Sequence, residues 1–204
     1  MRLISFLIAL IFLVGVWYWY FLDGTDSGLK KFDGDQQVID ILSSDISKRD
    51  LLSVIAYFEA NIERTKTHPR LYSYYASALS MKAIFQVSPL DKQASSSYAS
   101  SIFANVAEIY PNQALSVLFE AITLLKSPDF LKLNDKSFSR LKSSLDIIQS
   151  DAEDGSLDKL NKEALVILIK FIPVFKDIYI ERGRSDLSVE KIENSALEIL
   201  EEVS

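Results

Sequence analysis

The 204-residue chain contains no cysteine, which excludes disulfide bonds, thiolate nucleophiles and cysteine-ligated metal sites together. Histidine occurs once, as His68, so a metal site built from several histidines is also excluded. Only six glycines are present, and the sequence has no Walker A, G-x-G-x-x-G or G-x-S-x-G motif. We therefore predict a protein that is not an enzyme and that uses no cofactor and no metal ion.

Basic residues are in deficit: Lys and Arg number 22 against 28 Asp and Glu, for a net charge of −6. The basic residues form no block, whereas nucleic-acid phosphates favour clustered positive charge, so we expect no nucleic-acid partner. Carboxylate pairs such as Glu108 with Glu120 could perform acid–base chemistry. Acidic helices commonly carry such pairs on solvated faces, so a carboxylate-dependent hydrolase is kept only as an alternative.

One long hydrophobic run is present, from Leu3 to Leu22, with twenty uncharged and mainly apolar residues. A helix of this length covers about 30 Å, the hydrocarbon thickness of a bilayer. A cleaved signal peptide would end in small residues, whereas this run ends in aromatic residues that favour the membrane–water boundary. We predict an uncleaved transmembrane signal anchor over residues 1–22. Its membrane-interface residues are Arg2, Trp17, Tyr18, Trp19 and Tyr20.

The orientation of this anchor follows from the charges on its two sides. Arg2 and the free amine precede the run, while Lys30 and Lys31 lie several residues beyond it, behind Asp23 and Asp26. Because positive charge is retained on the cytoplasmic side, we predict an N-inside orientation. The expectation is a single-pass protein of a bacterial inner membrane with its C-terminal domain in the periplasm. A domain that faces the cytoplasm is the alternative.

The remainder of the chain divides into a polar tether, residues 23–35, and an α-helical domain, residues 36–204. The tether is rich in Gly, Asp and Ser, and from Gln36 apolar residues recur at three- and four-residue steps. The fold class is therefore all-α, an N-terminal transmembrane helix followed by a bundle or short solenoid of about seven or eight helices. The apolar segment around Pro173 is interrupted by Lys170 and is too short for a second span, so we predict a buried helix there.

The residues Ala99, Phe103, Val106 and Pro111 are spaced as in the second helix of a tetratricopeptide repeat, and Ala121 follows at the next small position. The segment from Ala99 to Ala121 therefore resembles about one repeat of that family. Val106 departs from the usual small residue, and the turn at Ser88 and Pro89 disrupts a regular period. The resemblance implies stacked helical hairpins and a peptide-binding groove. An ordinary antiparallel helix pair with a proline-capped turn is the alternative.

Tyrosines are concentrated in the middle of the chain, and they bury area while retaining a polar group, which suits protein recognition. Tyr74 lies off the apolar stripe of its helix. We predict that it forms a partner-binding surface with Arg70, Asn105 and Asn112. The predicted function is a membrane-anchored, non-enzymatic scaffold or adaptor that contacts lipid through its anchor and binds another protein, in an oligomeric state that stays open. An inhibitor or immunity-type protein, whose acidic surface would suit a basic target, is the alternative.

Overall fold

The computed structural model describes residues 29–42, 46–125, 134–155, 157–181 and 187–203. Within these ranges the regular structure is α-helical, which confirms the all-α class. The predicted anchor, with Arg2, Trp17, Tyr18, Trp19 and Tyr20, lies outside them. The helices are α1 (Asp35–Leu42), α2 (Lys48–Ala60), α3 (Ile62–Thr67), α4 (Pro69–Phe85), α5 (Pro89–Ile109), α6 (Ala114–Leu125), α7 (Asn134–Glu153), α8 (Lys159–Glu181) and α9 (Leu187–Val203).

None of the helices in the described ranges is long and apolar enough to cross a membrane. This includes α8, which continues through Pro173 and buries Leu168, Ile172 and Phe175 along one side. The predicted helix around Pro173 is therefore present as part of the domain core.

The helices α4 and α5 form an antiparallel pair, as do α6 and α7. In the first pair, Tyr75 meets Tyr98 with ring centroids 6.4 Å apart, and the Tyr110 hydroxyl donates to the carbonyl of Thr67 at 3.2 Å. In the second pair, the Ser137 hydroxyl donates to the carbonyl of Ala121 at 2.8 Å, and Ser144 donates to Ala114 at 3.0 Å. Serine is small, and each of these hydroxyls donates directly to a backbone carbonyl of the neighbouring helix. The two helices therefore pack closely at these positions.

The helix α8 continues the same arrangement, since it runs antiparallel to both α7 and α9. Phe138 near the start of α7 contacts Tyr179 near the end of α8, with ring centroids 6.0 Å apart. Lys176 of α8 pairs with Glu193 of α9. The central helix is α6, which packs on α4, α5, α7 and α8 and buries eleven of its twelve residues.

The segment before α1 lies along α2. The backbone N–H of Lys30 donates to the Ser53 hydroxyl at 3.0 Å, and the ring of Phe32 meets Tyr57 edge-on at 5.8 Å. Asp35 then accepts a hydrogen bond from the Tyr57 hydroxyl at 2.8 Å. The last part of the predicted tether therefore follows α2 from its first half to its end, where α1 begins.

The first helices of three successive pairs start at regular intervals. Helices α4, α6 and α8 begin at Pro69, Ala114 and Lys159, which are 45 residues apart in both steps. This interval is longer than the period of about 34 residues in tetratricopeptide repeats. The helical residues that carry the resemblance are all buried, and the resemblance itself stays a prediction: Ala99, Phe103, Val106 and Ala121.

Candidate functional site: polar side chains buried between the helix pairs

The first candidate site is a group of three side chains, Arg70, Tyr74 and Glu163, which we name the central cluster. Arg70 follows Pro69 in the first turn of α4, and Tyr74 lies one turn later on the same face. Arg70 Nε lies 2.7 Å from Glu163 Oε2 and Arg70 Nη2 lies 3.1 Å from Oε1. This two-point contact gives the ion pair a fixed geometry, and it joins α4 to α8 across α6.

Tyr74, the third member of the central cluster, contacts both residues of the ion pair. Its hydroxyl donates to Glu163 Oε1 at 2.7 Å, and the Arg70 guanidinium carbon lies 5.9 Å from its ring centroid. The ring also packs on Phe119 of α6, with centroids 4.9 Å apart. Arg70 donates further to the Gln36 side-chain oxygen at 3.3 Å. Side chains from α1, α4, α6 and α8 therefore meet at this point.

The electrostatics of the central cluster favour the charged pair. Burial works against the charge of Arg70, but the hydrogen bonds and the proximity of the Glu163 carboxylate outweigh it and raise the pKa of Arg70. The two side chains remain 26% and 19% exposed, so solvent still screens part of their attraction. The cluster can hold helices in place and offers one face of the guanidinium to solvent.

A second polar group is built around Asn161, which is only 1% exposed. Its side-chain nitrogen donates to the carbonyl of Asn112 at 3.0 Å and to the Asp151 carboxylate. Its side-chain oxygen accepts from the backbone N–H of Ala114 at 2.9 Å. One of the N–H groups that the start of α6 leaves without a helical partner is thereby satisfied. Asn161 ties the α5–α6 turn to α7 and α8.

The four residues of the predicted partner-binding surface have different environments. Arg70 and Tyr74 meet at Glu163, and Asn112 is linked to α8 through its backbone carbonyl and Asn161. Asn105 is exposed on α5, and the side chain of Asn112 is exposed in the following turn. Tyr74 is only 4% exposed, although its position off the apolar stripe suggested a surface residue, because α4 is contacted on several sides. Partner binding by these residues stays a prediction.

Sequence patterns did not point to Asn161 or Glu163, and Glu120 was interpreted only as half of a carboxylate pair. Glu120 is 7% exposed and is held by Arg140 at 2.9 Å and Lys136 at 3.5 Å. Its position within an otherwise apolar helix was a usable signal. Glu163 had no local signal, because its partner lies 93 residues away in sequence.

Two residues with potential for chemistry have identified contacts. Glu120 is neutralised by two cations, and His68 is exposed at the start of α4, where its Nδ1 lies 2.9 Å from the carbonyl of Arg64. Across the described ranges, no three His, Asp or Glu side chains are grouped so that they could hold a metal ion. The contacts of the central cluster and of Asn161 join different helices.

Comparison with known proteins identifies no similar family model, curated protein or solved structure.

Proposed function

We propose that this protein is a membrane-anchored, non-enzymatic helical module that binds another protein as a scaffold or adaptor. The observation that carries the proposal is the sequential packing of α4–α5, α6–α7 and α8–α9, in which each antiparallel pair packs on the next. Helix pairs stacked in sequence offer extended surfaces that are well suited to binding a second protein. The polar contacts between the pairs hold the helices in this arrangement.

The membrane part of the proposal comes from the sequence. Leu3–Leu22 is long and apolar enough to act as a signal anchor, and the aromatic residues at its end suit the membrane boundary. In the orientation that we favour, the helical domain lies in the periplasm of a bacterial inner membrane. Confinement to that surface raises the effective concentration of the domain near membrane partners.

The binding surface that we propose lies at one end of the helix pairs. The contact of Tyr110 with Thr67 brings the start of α4 next to the end of α5. The guanidinium of Arg70 and the exposed amides of Asn105 and Asn112 belong to this end. We name it the amide end. Its groups suit hydrogen bonding to the backbone and carboxylates of a polypeptide.

Cross-linking in native membranes tests this proposal. The full-length protein is cross-linked, extracted in mild detergent and analysed by quantitative mass spectrometry. We expect the Asn105→Arg/Asn112→Arg variant to retain less than a tenth of the captured partner, because the added side chains block the amide end. The matched control is Asn194→Arg, at an exposed position on α9, which should retain the partner fully. Equal capture by both variants, or no specific capture by the wild type, would contradict the proposal.

The anchor is tested separately with Leu10→Arg/Val14→Arg. Each charge near the middle of a span costs about 2.5–3.5 kcal/mol on insertion scales, so the variant should be released from membranes by alkaline carbonate. The control Leu10→Phe/Val14→Leu should stay in the membrane pellet. Release of the wild-type protein under the same conditions would show that residues 1–22 do not anchor it.

A further inference from the structure

Four apolar side chains are exposed in and beside the turn between α4 and α5, at the end of α4, in the turn and at the start of α5, and we name them the tip patch. Ile84 is 60% exposed, Phe85 is 38%, Val87 is 94% and Leu90 is 77%. The turn itself is well defined, since the Ser88 hydroxyl accepts from the backbone N–H of Asp91 and Pro89 opens α5. Grouped apolar exposure of this kind marks a contact surface, whereas single exposed apolar residues are ordinary.

The tip patch lies at the same end of the domain as the start of α2, where Lys30 is bound. Gln36 at the start of α1 contacts Arg70 at the start of α4, and Phe58 near the end of α2 packs on Tyr75, with ring centroids 5.7 Å apart. The start of α4 thus lies against the end of α2, and α4 runs back toward the start of α2. Lys30 is bound at that start, by Ser53 and Asp50.

The chain length limits how far this end can be from the anchor. Eight peptide steps separate Leu22 from Lys30, and they reach at most about 28 Å when fully extended. Because Lys30 is bound to α2, the start of α2 lies within about this reach of the membrane in which Leu3–Leu22 would be held.

Six basic residues lie before α1, at the start of α2, at the end of α4 and at the start of α5, in an otherwise acidic chain, and we name them the basic rim: Lys30, Lys31, Lys48, Arg49, Lys82 and Lys92. Its acidic neighbours are Asp91 beside the tip patch, Asp33, and Asp50. Asp50 is paired with Lys30, whose hydrogen bond, together with that of Ser47, lowers the pKa of this carboxyl. Positive charge next to apolar side chains is the combination that binds an anionic lipid surface.

We propose that the tip patch inserts into the interfacial layer of the bilayer that holds the anchor, with the basic rim on the lipid phosphates. This inference rests on the proposed function, because it takes Leu3–Leu22 as the anchor. Interfacial insertion places apolar side chains about 5–10 Å into the boundary between headgroups and acyl chains. In this orientation the tip patch contacts the membrane, and the amide end, at the other end of α4, lies away from the membrane where a partner can bind.

The absence of native cysteine permits a direct test with single-cysteine labels on the full-length protein. Val87→Cys reports on the tip patch, and Asn112→Cys at the amide end is the matched control. Both are labelled with the environment-sensitive dye NBD and reconstituted in vesicles of phosphatidylcholine and phosphatidylglycerol that contain spin-labelled lipid. We expect at least twofold quenching and a blue-shifted emission at position 87, with neither change at position 112.

Four results would overturn the inference or part of it, and they separate its failure from that of the proposed function. An unquenched label at position 87 in protein that resists alkaline extraction would refute tip insertion and leave the anchored module intact. Protein that alkali releases from the vesicles would refute the anchor, and tip insertion with it. A blue-shifted but unquenched label at position 87, together with a cross-link from that position to a second protein chain, would assign the tip patch to a protein contact. Equal quenching in vesicles of phosphatidylcholine alone would refute the role of the basic rim.

Discussion

In most proteins, apolar side chains lie in the core and polar ones at the surface. The centre of this domain and the tip patch both depart from that distribution. At the centre, Asn161 and Glu163 are polar groups between packed helices, and at the tip Val87 and Leu90 are apolar groups in solvent. The central polar groups have hydrogen-bond partners on other helices of the same chain. The exposed fractions of Val87 and Leu90, 94% and 77%, show that the described part of the domain does not cover them. The polar groups at the centre are therefore accounted for by contacts that hold the helices together. The apolar groups at the tip point instead to a contact with something outside the domain.

The largest effect on the free energy of unfolding is expected from Asn161→Leu, which removes the buried amide at the centre of the domain. The change leaves the Ala114 N–H and the Asn112 carbonyl without the amide that bound them, in a site that leucine fills with an apolar group. We expect the free energy of unfolding to fall by about 3 kcal/mol. Urea denaturation of the full chain in detergent micelles, followed by circular dichroism, measures it. The control Asn194→Leu should change the free energy by less than about 0.5 kcal/mol, and an equal loss in both would contradict the account.

A smaller effect is expected at the ion pair of the central cluster. Glu163→Gln and Arg70→Met should each lower the free energy of unfolding by about 1.5 kcal/mol, reduced from a fully buried value because both groups are partly exposed. The double variant should lose little more than either single one, with a coupling energy of about 1 kcal/mol. The exposed pair Glu63 and Lys66 provides the reference, with a coupling below about 0.5 kcal/mol. Additive losses at Arg70 and Glu163 would show that the pair does not couple α4 to α8.

The packing of α4 predicts a dependence of stability on alkaline pH. Burial raises the pKa of the Tyr75 and Tyr72 hydroxyls above the ordinary value of 10.0. Above pH 10 these groups ionise in the unfolded chain before they do so in the folded one, so their stabilisation is complete below pH 10 and declines as pH rises further. We expect Tyr75→Phe to make this decline shallower by about 1 kcal/mol per pH unit. Urea titrations at pH 9, 10 and 11 measure the slope, and an unchanged slope would contradict burial of the Tyr75 hydroxyl.

The smallest effect on stability is expected at the tip patch. Val87→Ser and Leu90→Ser should change the free energy of unfolding by less than about 0.5 kcal/mol, because their exposed side chains lose no packing. The same urea denaturation measures both. A loss above about 1 kcal/mol would place the tip patch inside the fold and remove its contrast with Asn161.

The helical architecture was largely predictable from the sequence, because most of the longer helices show apolar residues at three- and four-residue steps and because polar or proline-containing segments separate many of them. Pro69 opens α4 and Pro111 lies between α5 and α6, as a residue without a backbone N–H requires. The apolar composition of α6 on all its faces likewise agrees with a central helix.

The contacts between distant helices were not predictable from local patterns. Arg70 could be identified as a charged residue at a helix start, but its partner Glu163 is set by the packing of α8 across α6. Tyr74 was interpreted from the stripe of a single helix, whereas α4 contacts α1, α2, α5 and α6 and therefore buries more than one face. The position of Val87 in the turn depends on where α4 ends, which is at Phe85, two residues before the end that the sequence pattern predicted.

The proposal that this protein is an anchored binding module is tested most directly by photo-cross-linking at Asn112 in native membranes. A diazirine amino acid at this position of the full-length chain is activated by light, and the adducts are separated by mass and identified. The account predicts a reproducible protein adduct at Asn112 that the Asn105→Arg change abolishes, and no such adduct from a diazirine at Asn194. Adducts with lipid alone at Asn112, or the same protein adduct from both positions, would contradict a partner-binding amide end.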